Sequence, residues 1–206
     1  MREELLPLFP LQVVLFPNSS LPLHIFEERY KILISECLAE EREFGINLVN
    51  DNVVADVGCT TVVKEVTKRY DDGRMDIVVQ GRRRYMLRRY DTLMAPYRIG
   101  VVEYLNVSDE SVDEDLAQAT VSLYNKLITA VYKGKVALVS ATHVSRELSF
   151  ILAQKAGMEL AQRQRLLETR TENERLGMLH SYLVDVLPRV QEYQHMERVV
   201  HSDGYL

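Results

Sequence analysis

Near Asn106–Glu114 the spacing of apolar residues changes from a period of two to one of about 3.6. Side chains alternate across a strand but repeat every 3.6 residues around a helix, so the switch separates a strand-rich stretch from a helical one. We place the boundary between residues 107 and 108, giving regions 1–107 and 108–206. A chain of 206 residues can bury a core of this kind.

In the first region, β-branched runs are punctuated by Pro, Gly, Asn and Asp, which predicts strands at Leu11–Phe16, Phe44–Val49, Cys59–Tyr70, Met75–Tyr90 and Tyr97–Asn106. One helix interrupts them over Glu27–Glu41, where Tyr30, Leu33, Ile34, Cys37 and Leu38 share a face. Asp72-Gly73 is a hairpin signal, since glycine supplies the positive φ of a tight turn, and it predicts that the flanking strands pair antiparallel. Gly81 within the second of these strands predicts a bulge or bend, which favours a small twisted barrel over a flat sheet.

Beyond the switch, Ser111 and Glu114 fit a capping box. It opens a helix with the stripe Leu116, Ala119, Leu123, Leu127 and Val131, which stops at Gly134. Further helices are expected at Ser145–Ala156 and Glu159–Glu168. Thr171 and Glu174 form a second capping box, for a helix holding Leu176, Leu179, Leu183 and Val186–Leu187 that Pro188 breaks or kinks.

Hydrophobic residues at 47% and charged residues at 27% describe an ordinary globular chain. No apolar run reaches the roughly 20 residues of a membrane span, and MREELLPLFP lacks the features of a signal peptide, so a cytoplasmic location is expected. The two cysteines, Cys37 and Cys59, form no CxxC pair and read as buried free thiols. The net charge of −5 disfavours nucleic acid and anionic membrane unless a local basic patch overrides it. Arg82, Arg83, Arg84, Arg88 and Arg89 form the only basic run, and strand alternation would put Arg82, Arg84 and Arg88 on one face with Arg83 and Arg89 on the other.

His24, Glu27 and Arg29 stand close enough in sequence to suggest a catalytic or metal set, but such a set also needs convergent geometry, and structural or capping roles are expected. His143, His180, His195 and His201 are scattered and lack ligand spacing. Gly134-Lys135 is the only Gly-Lys pair, with Thr129 where a P-loop needs its first glycine and Val136 where it needs Ser or Thr, so no ATP site is readable. Ser149 and Lys155, six residues apart on an expected helix, face different directions and cannot act as nucleophile and base. No catalytic, cofactor-binding or metal-binding residue is therefore assigned.

The opening LPLFPLQVVLFPNSSLPLHIFEERYKILI, the central DDGRMDIVVQGRRRYML and the later SFILAQKAGMELAQRQRLLETRTENERLGML resemble, in the same order, the Lon N-terminal (substrate-binding) domain family. The resemblance implies an α+β fold, with an N-terminal PUA-like β pseudo-barrel and one embedded helix followed by a C-terminal helical bundle. It also places HIFEERY in a structural signature at a strand-to-helix junction. In full-length Lon this domain helps recognise protein substrates and precedes an ATPase and a Ser-Lys peptidase, neither of whose motifs occurs here.

The function this implies is that of a non-catalytic protein-interaction module, not an enzyme and without cofactors. It would recognise unfolded or extended polypeptide through exposed apolar residues or an edge strand, and act as adaptor or regulator of an ATP-dependent protease. Pro7, Pro10, Pro17 and Pro22 would blunt most strand edges. The alternative is a PUA-like RNA-binding module using the arginine run, disfavoured by the acidic total and the absence of an RNA-recognition motif. Neither the partner-binding residues nor the oligomeric state can be read from this sequence.

Overall fold

The structure, a computed structural model, describes residues 4–91, 95–140 and 145–203; within 195–203 it describes the side chain of Met196 alone. The chain forms two compact units, one of Met1–Asn106 with Glu159–Glu168 and one of Val107–Met158 with Thr169–Leu206.

The first unit contains strands β1 (Glu4–Leu8), β2 (Ser20–Ile25), β3 (Phe44–Asn50), β4 (Val53–Arg69), β5 (Met75–Asp91) and β6 (Arg98–Tyr104), with helix α1 (Glu28–Glu40) between β2 and β3. The sheet runs β2-β5-β4-β3-β1-β6, and β6 pairs again with β5, so five strands close into a ring with β2 added outside. The hairpin predicted at Asp72-Gly73 joins β4 to β5, with Arg69 opposite Met75 and Gly73 at φ +82°. The first half of β5 also pairs with β2, from Ile25↔Met75 to Ser20↔Gln80, and its second half pairs with β6. The change of neighbour follows a bulge: Cys59 lies opposite Arg84 and Thr61 opposite Gly81, so two steps on β4 face three on β5. At the bulge, a Cβ on Gly81 would fall 2.2 Å from the carbonyl oxygen of Phe16.

The ring is filled by Leu6, Leu8, Tyr85, Leu87 and Val102. Tyr85 is fully buried, and its hydroxyl donates to the Asn47 side chain and occupies the space that Cβ atoms on Gly45 and Gly58 would need. A second core lies under α1, where Tyr30, Leu33, Ile34 and Cys37 meet Ile25, Met75, Ile77 and Val79. Cys37 and Cys59 are buried free thiols, as the sequence suggested.

Helix α4 (Leu160–Glu168) belongs to this same unit. Gln164 Nε2 donates to the Val57 carbonyl at 3.0 Å, and Arg163 reaches the Val14 carbonyl at 3.2 Å, its guanidinium 4.7 Å from the Phe16 ring centre. The sequence reading had assigned Glu159–Glu168 to the helical region. Its buried Leu166 and Leu167 show that one face must be covered, but periodicity cannot say by what.

The second unit contains α2 (Glu114–Tyr132), α3 (Leu148–Ala153) and α5 (Glu172–Asp203). Asn173 at the start of α5 bonds both Asp113 N and the Ser111 carbonyl, and Gln194 Nε2 donates to the Ala130 carbonyl at 2.5 Å, so α2 and α5 run parallel. At the start of α5, Thr171 and Glu174 form the expected reciprocal capping box. Between α3 and α5, the buried Glu172 carboxylate accepts from Ser149 N, Ser149 Oγ and Arg175, and Arg175 also donates to the carbonyls of Arg146, Thr169 and Arg170.

Several local readings are corrected. Leu11–Phe16 is not a strand: among these residues only Leu11 forms a β-bridge, to Leu48, while the Ser19 hydroxyl accepts from Phe16 N and donates to the Phe16 carbonyl. The strands β1 and β2 are not among those expected from the sequence, and their prolines lie within the pairing, Pro7 opposite Ile99 and Pro22 opposite Val78. The cap of α2 is Asp113, not Ser111, because its carboxylate accepts from Leu116 N at 3.0 Å. The buried face of α2 is Ala117, Thr120, Val121, Tyr124, Leu127 and Ile128, so Ala119 and Val131 of the expected stripe are exposed. Helix α3 is shorter than Ser145–Ala156, and α5 continues through Pro188, whose cost is one missing backbone donor on an otherwise packed helix.

Candidate functional site

The HIFEERY segment separates into two pairings. His24, at the end of β2, lies opposite Asp76 of β5, with Nδ1 and Oδ1 2.5 Å apart. The Tyr70 hydroxyl donates to the other Asp76 oxygen at 2.9 Å, and these two hydrogen bonds hold the carboxyl below its usual range. Phe26 stacks on the His24 ring at 5.9 Å and is 59% exposed. Glu27 and Arg29 form a separate ion pair, and the Arg29 guanidinium covers the Tyr30 ring. Glu27 occupies the N-cap of α1 but makes no side-chain capping bond, so the capping role is corrected to pairing with Arg29. Among the described residues no group of three His, Cys, Asp or Glu could hold a metal ion.

The arginine run is dispersed by the bulge rather than sorted onto two faces. Arg84 is buried and donates to the Leu167 carbonyl of α4 at 2.8 Å. Arg83 pairs with Glu43 and covers the Tyr104 ring at 3.8 Å, and Arg88 pairs with Glu103. Arg82 is exposed and lines a cavity of about 390 Å³ with Cys37 and Arg42. Burial pushes the Cys37 thiol up to about 11 despite Arg42 beside it, which makes it a poor nucleophile.

The remaining sequence candidates do not converge. The Ser149 hydroxyl is held by Glu172 and Arg175, and Lys155 is exposed. Gly134 follows Lys133, the left-handed C-cap of α2, and serves as a helix stop. His180 is half-buried on α5. His143 lies outside the described residues, as do the side chains of His195 and His201.

Exposed apolar side chains collect where α5 passes the end of α2. Val131, Tyr193 and Met196 are 47%, 65% and 59% exposed, and a cavity of about 410 Å³ opens among Val131, Val190 and Tyr193. The sequence predicts a break or kink at Pro188 and no such surface; Val190 and Tyr193, which continue the helical spacing past it, are the signal that points to one. No helix among the described residues is long and apolar enough to cross a membrane.

The sequence model of the family described as the ATP-dependent protease La (LON) substrate-binding domain matches residues 5–185. Lon protease 3 of Sorangium cellulosum (strain So ce56) is 27% identical over 189 residues, a match that covers 85% of this chain and 23% of that protein. The chain thus spans under a quarter of the length of that relative. A crystal structure of a Lon N-terminal domain protein from Xanthomonas campestris superposes with a TM-score of 0.68 at 25% identity, covering 86% of this chain and 98% of that one. The N-terminal domain of the Mycobacterium avium complex Lon protease shares the fold, with a TM-score of 0.65 at 17% identity over 88% and 99% of the two chains. The bulged strand ring with its embedded helix, and a family match that runs from β1 well into α5, place this chain in the LON substrate-binding domain family.

Proposed function

We propose that this chain is a non-catalytic polypeptide-recognition module that serves ATP-dependent proteolysis in the cytoplasm, as an adaptor that delivers clients or a regulator that occupies their docking surface. The observation that carries this reading is the family match over residues 5–185. The chemistry agrees: His24 and Ser149 are held in structural hydrogen bonds and Cys37 and Cys59 are buried, and no positioned acid, base and nucleophile occurs among the described residues. RNA binding is disfavoured, because Arg83, Arg84 and Arg88 are already engaged by Glu43, the Leu167 carbonyl and Glu103.

Capture of a urea-unfolded model protein against its native form on the immobilised chain tests recognition; equal capture of both would remove the reading. Co-purification with an ATP-dependent protease tests the adaptor or regulator role, and unchanged client half-lives after deletion of the chain would exclude it.

A further inference from the structure

Helix α5 outruns its parallel neighbour. Gln194 is fixed opposite Ala130 near the end of α2, while α5 continues to Asp203. Just before that contact along α5, Val190 and Tyr193 face a cavity of about 410 Å³ whose third apolar wall is Val131. That volume falls within the roughly 300–1,000 Å³ of ordinary ligand clefts and suffices for one aromatic or branched side chain. Among the described residues, the charged side chains that line the cavity are Lys133 and Arg189, and no carboxylate lines it. Neither cation makes an ion pair with a described residue, in a chain whose net charge is −5. Lys133 is fixed in place as the left-handed C-cap of α2, with φ +47°.

We infer that this cleft binds an extended segment of client polypeptide that carries an apolar side chain next to carboxylates. The apolar side chain enters between Val131, Val190 and Tyr193, and the flanking carboxylates meet Lys133 and Arg189. Charge complementarity selects this occupant: a second copy would bring its own Lys133 and Arg189 to the seam, and a basic segment would be repelled. Tyr and Arg are also the residue types that most often dominate the energetics of such contacts. The inference rests on the polypeptide-recognition reading above and assigns it a place and a sequence preference.

The test uses the full chain and a short fluorescein-labelled peptide in which Leu and Phe are flanked by Asp and Glu, followed by fluorescence anisotropy. Two control peptides replace the acidic residues by Lys or the apolar ones by Ser. The acidic-apolar peptide is expected to bind tightest and to weaken as salt is raised. Lys133→Glu with Arg189→Glu should weaken it about tenfold, a change of about 1.4 kcal/mol, and turn the preference toward the lysine peptide. Lys133→Gln with Arg189→Gln, which adds no repulsion, should give a smaller loss with unchanged helical circular dichroism. Equal binding of the acidic and lysine peptides, or wild-type affinity in the charge-reversed chain, would overturn the inference. So would a dimer in sedimentation that Tyr193→Glu dissociates, since a second copy would then fill the cleft. Capture of a urea-unfolded protein undiminished by the charge reversal would overturn the cleft but leave polypeptide recognition standing; loss of capture by the wild-type chain would remove both.

Discussion

Tyr85 shows how much a single side chain can require of its neighbours. Its ring lies inside the strand ring, its hydroxyl bonds Asn47, and burial raises its pKa well above the ordinary value. Tyr85→Phe leaves the Asn47 acceptor unpaired and should cost about 1–3 kcal/mol in urea unfolding. Gly45→Ala would place a methyl 2.2 Å from the Tyr85 oxygen and 2.8 Å from Leu6, and should cost about 1–3 kcal/mol by overpacking. Gly177→Ala is the contrasting case: nothing lies within 4 Å of its Cβ position inside α5, so the substitution should stabilise by about 0.5–1 kcal/mol. Asp76 supplies a pH-dependent element. Its carboxyl is held low by His24 and Tyr70, so the stabilisation is present above the unfolded value of about 4 and disappears as pH falls through the lower folded value. Asp76→Asn should flatten the acid limb of a stability-versus-pH curve; an unchanged limb would contradict the pairing. The sequence showed Tyr85 as a strand residue and His24 as a tempting ligand. It could not show that Gly45, Gly58 and Asn47 are built around the first, or that the second faces Asp76 across 52 positions, because both relations depend on register.

Among the elements, those with a strong local code were legible. The α1 face, the Asp72-Gly73 hairpin, the bulge at Gly81 and the Thr171/Glu174 capping box each follow from spacing that acts within a few residues. Strands β1 and β2 lack the β-branched runs that mark the others, and Leu11–Phe16 reads as a strand because burial without hydrogen-bonded pairing gives the same apolar run. The buried Glu172–Arg175 pair left no sequence signal either, since two charges three residues apart usually lie on a solvated face. Its energetics are testable. Arg175→Met leaves the Glu172 charge buried and should destabilise by about 3–5 kcal/mol in urea, whereas adding Glu172→Gln should recover part of the loss. Thr171→Ala, which removes only the capping hydroxyl, should cost about 1 kcal/mol.

For the whole molecule, chain order and unit membership disagree, because α4 belongs with the strands although residues 107–158 come before it. The change of period at Asn106–Glu114 marks where strands end, but not where the strand unit is complete. A fragment ending at Asn106 lacks the helix that accepts from Arg84 and reaches Val57 and Val14. It should unfold at lower urea and with a broader transition than residues 1–168; equal transitions would show that α4 contributes nothing. Synthesis on the ribosome faces the same arrangement. Strand β1 emerges first yet pairs with β6, Glu4 opposite Val102, so the ring cannot close until residue 104 is clear of the exit tunnel. Its final helix arrives later still, once residue 168 has followed. Throughout that interval the nascent chain carries unpaired strand edges and an uncovered Arg84, the condition in which a β-rich chain is most exposed to aggregation.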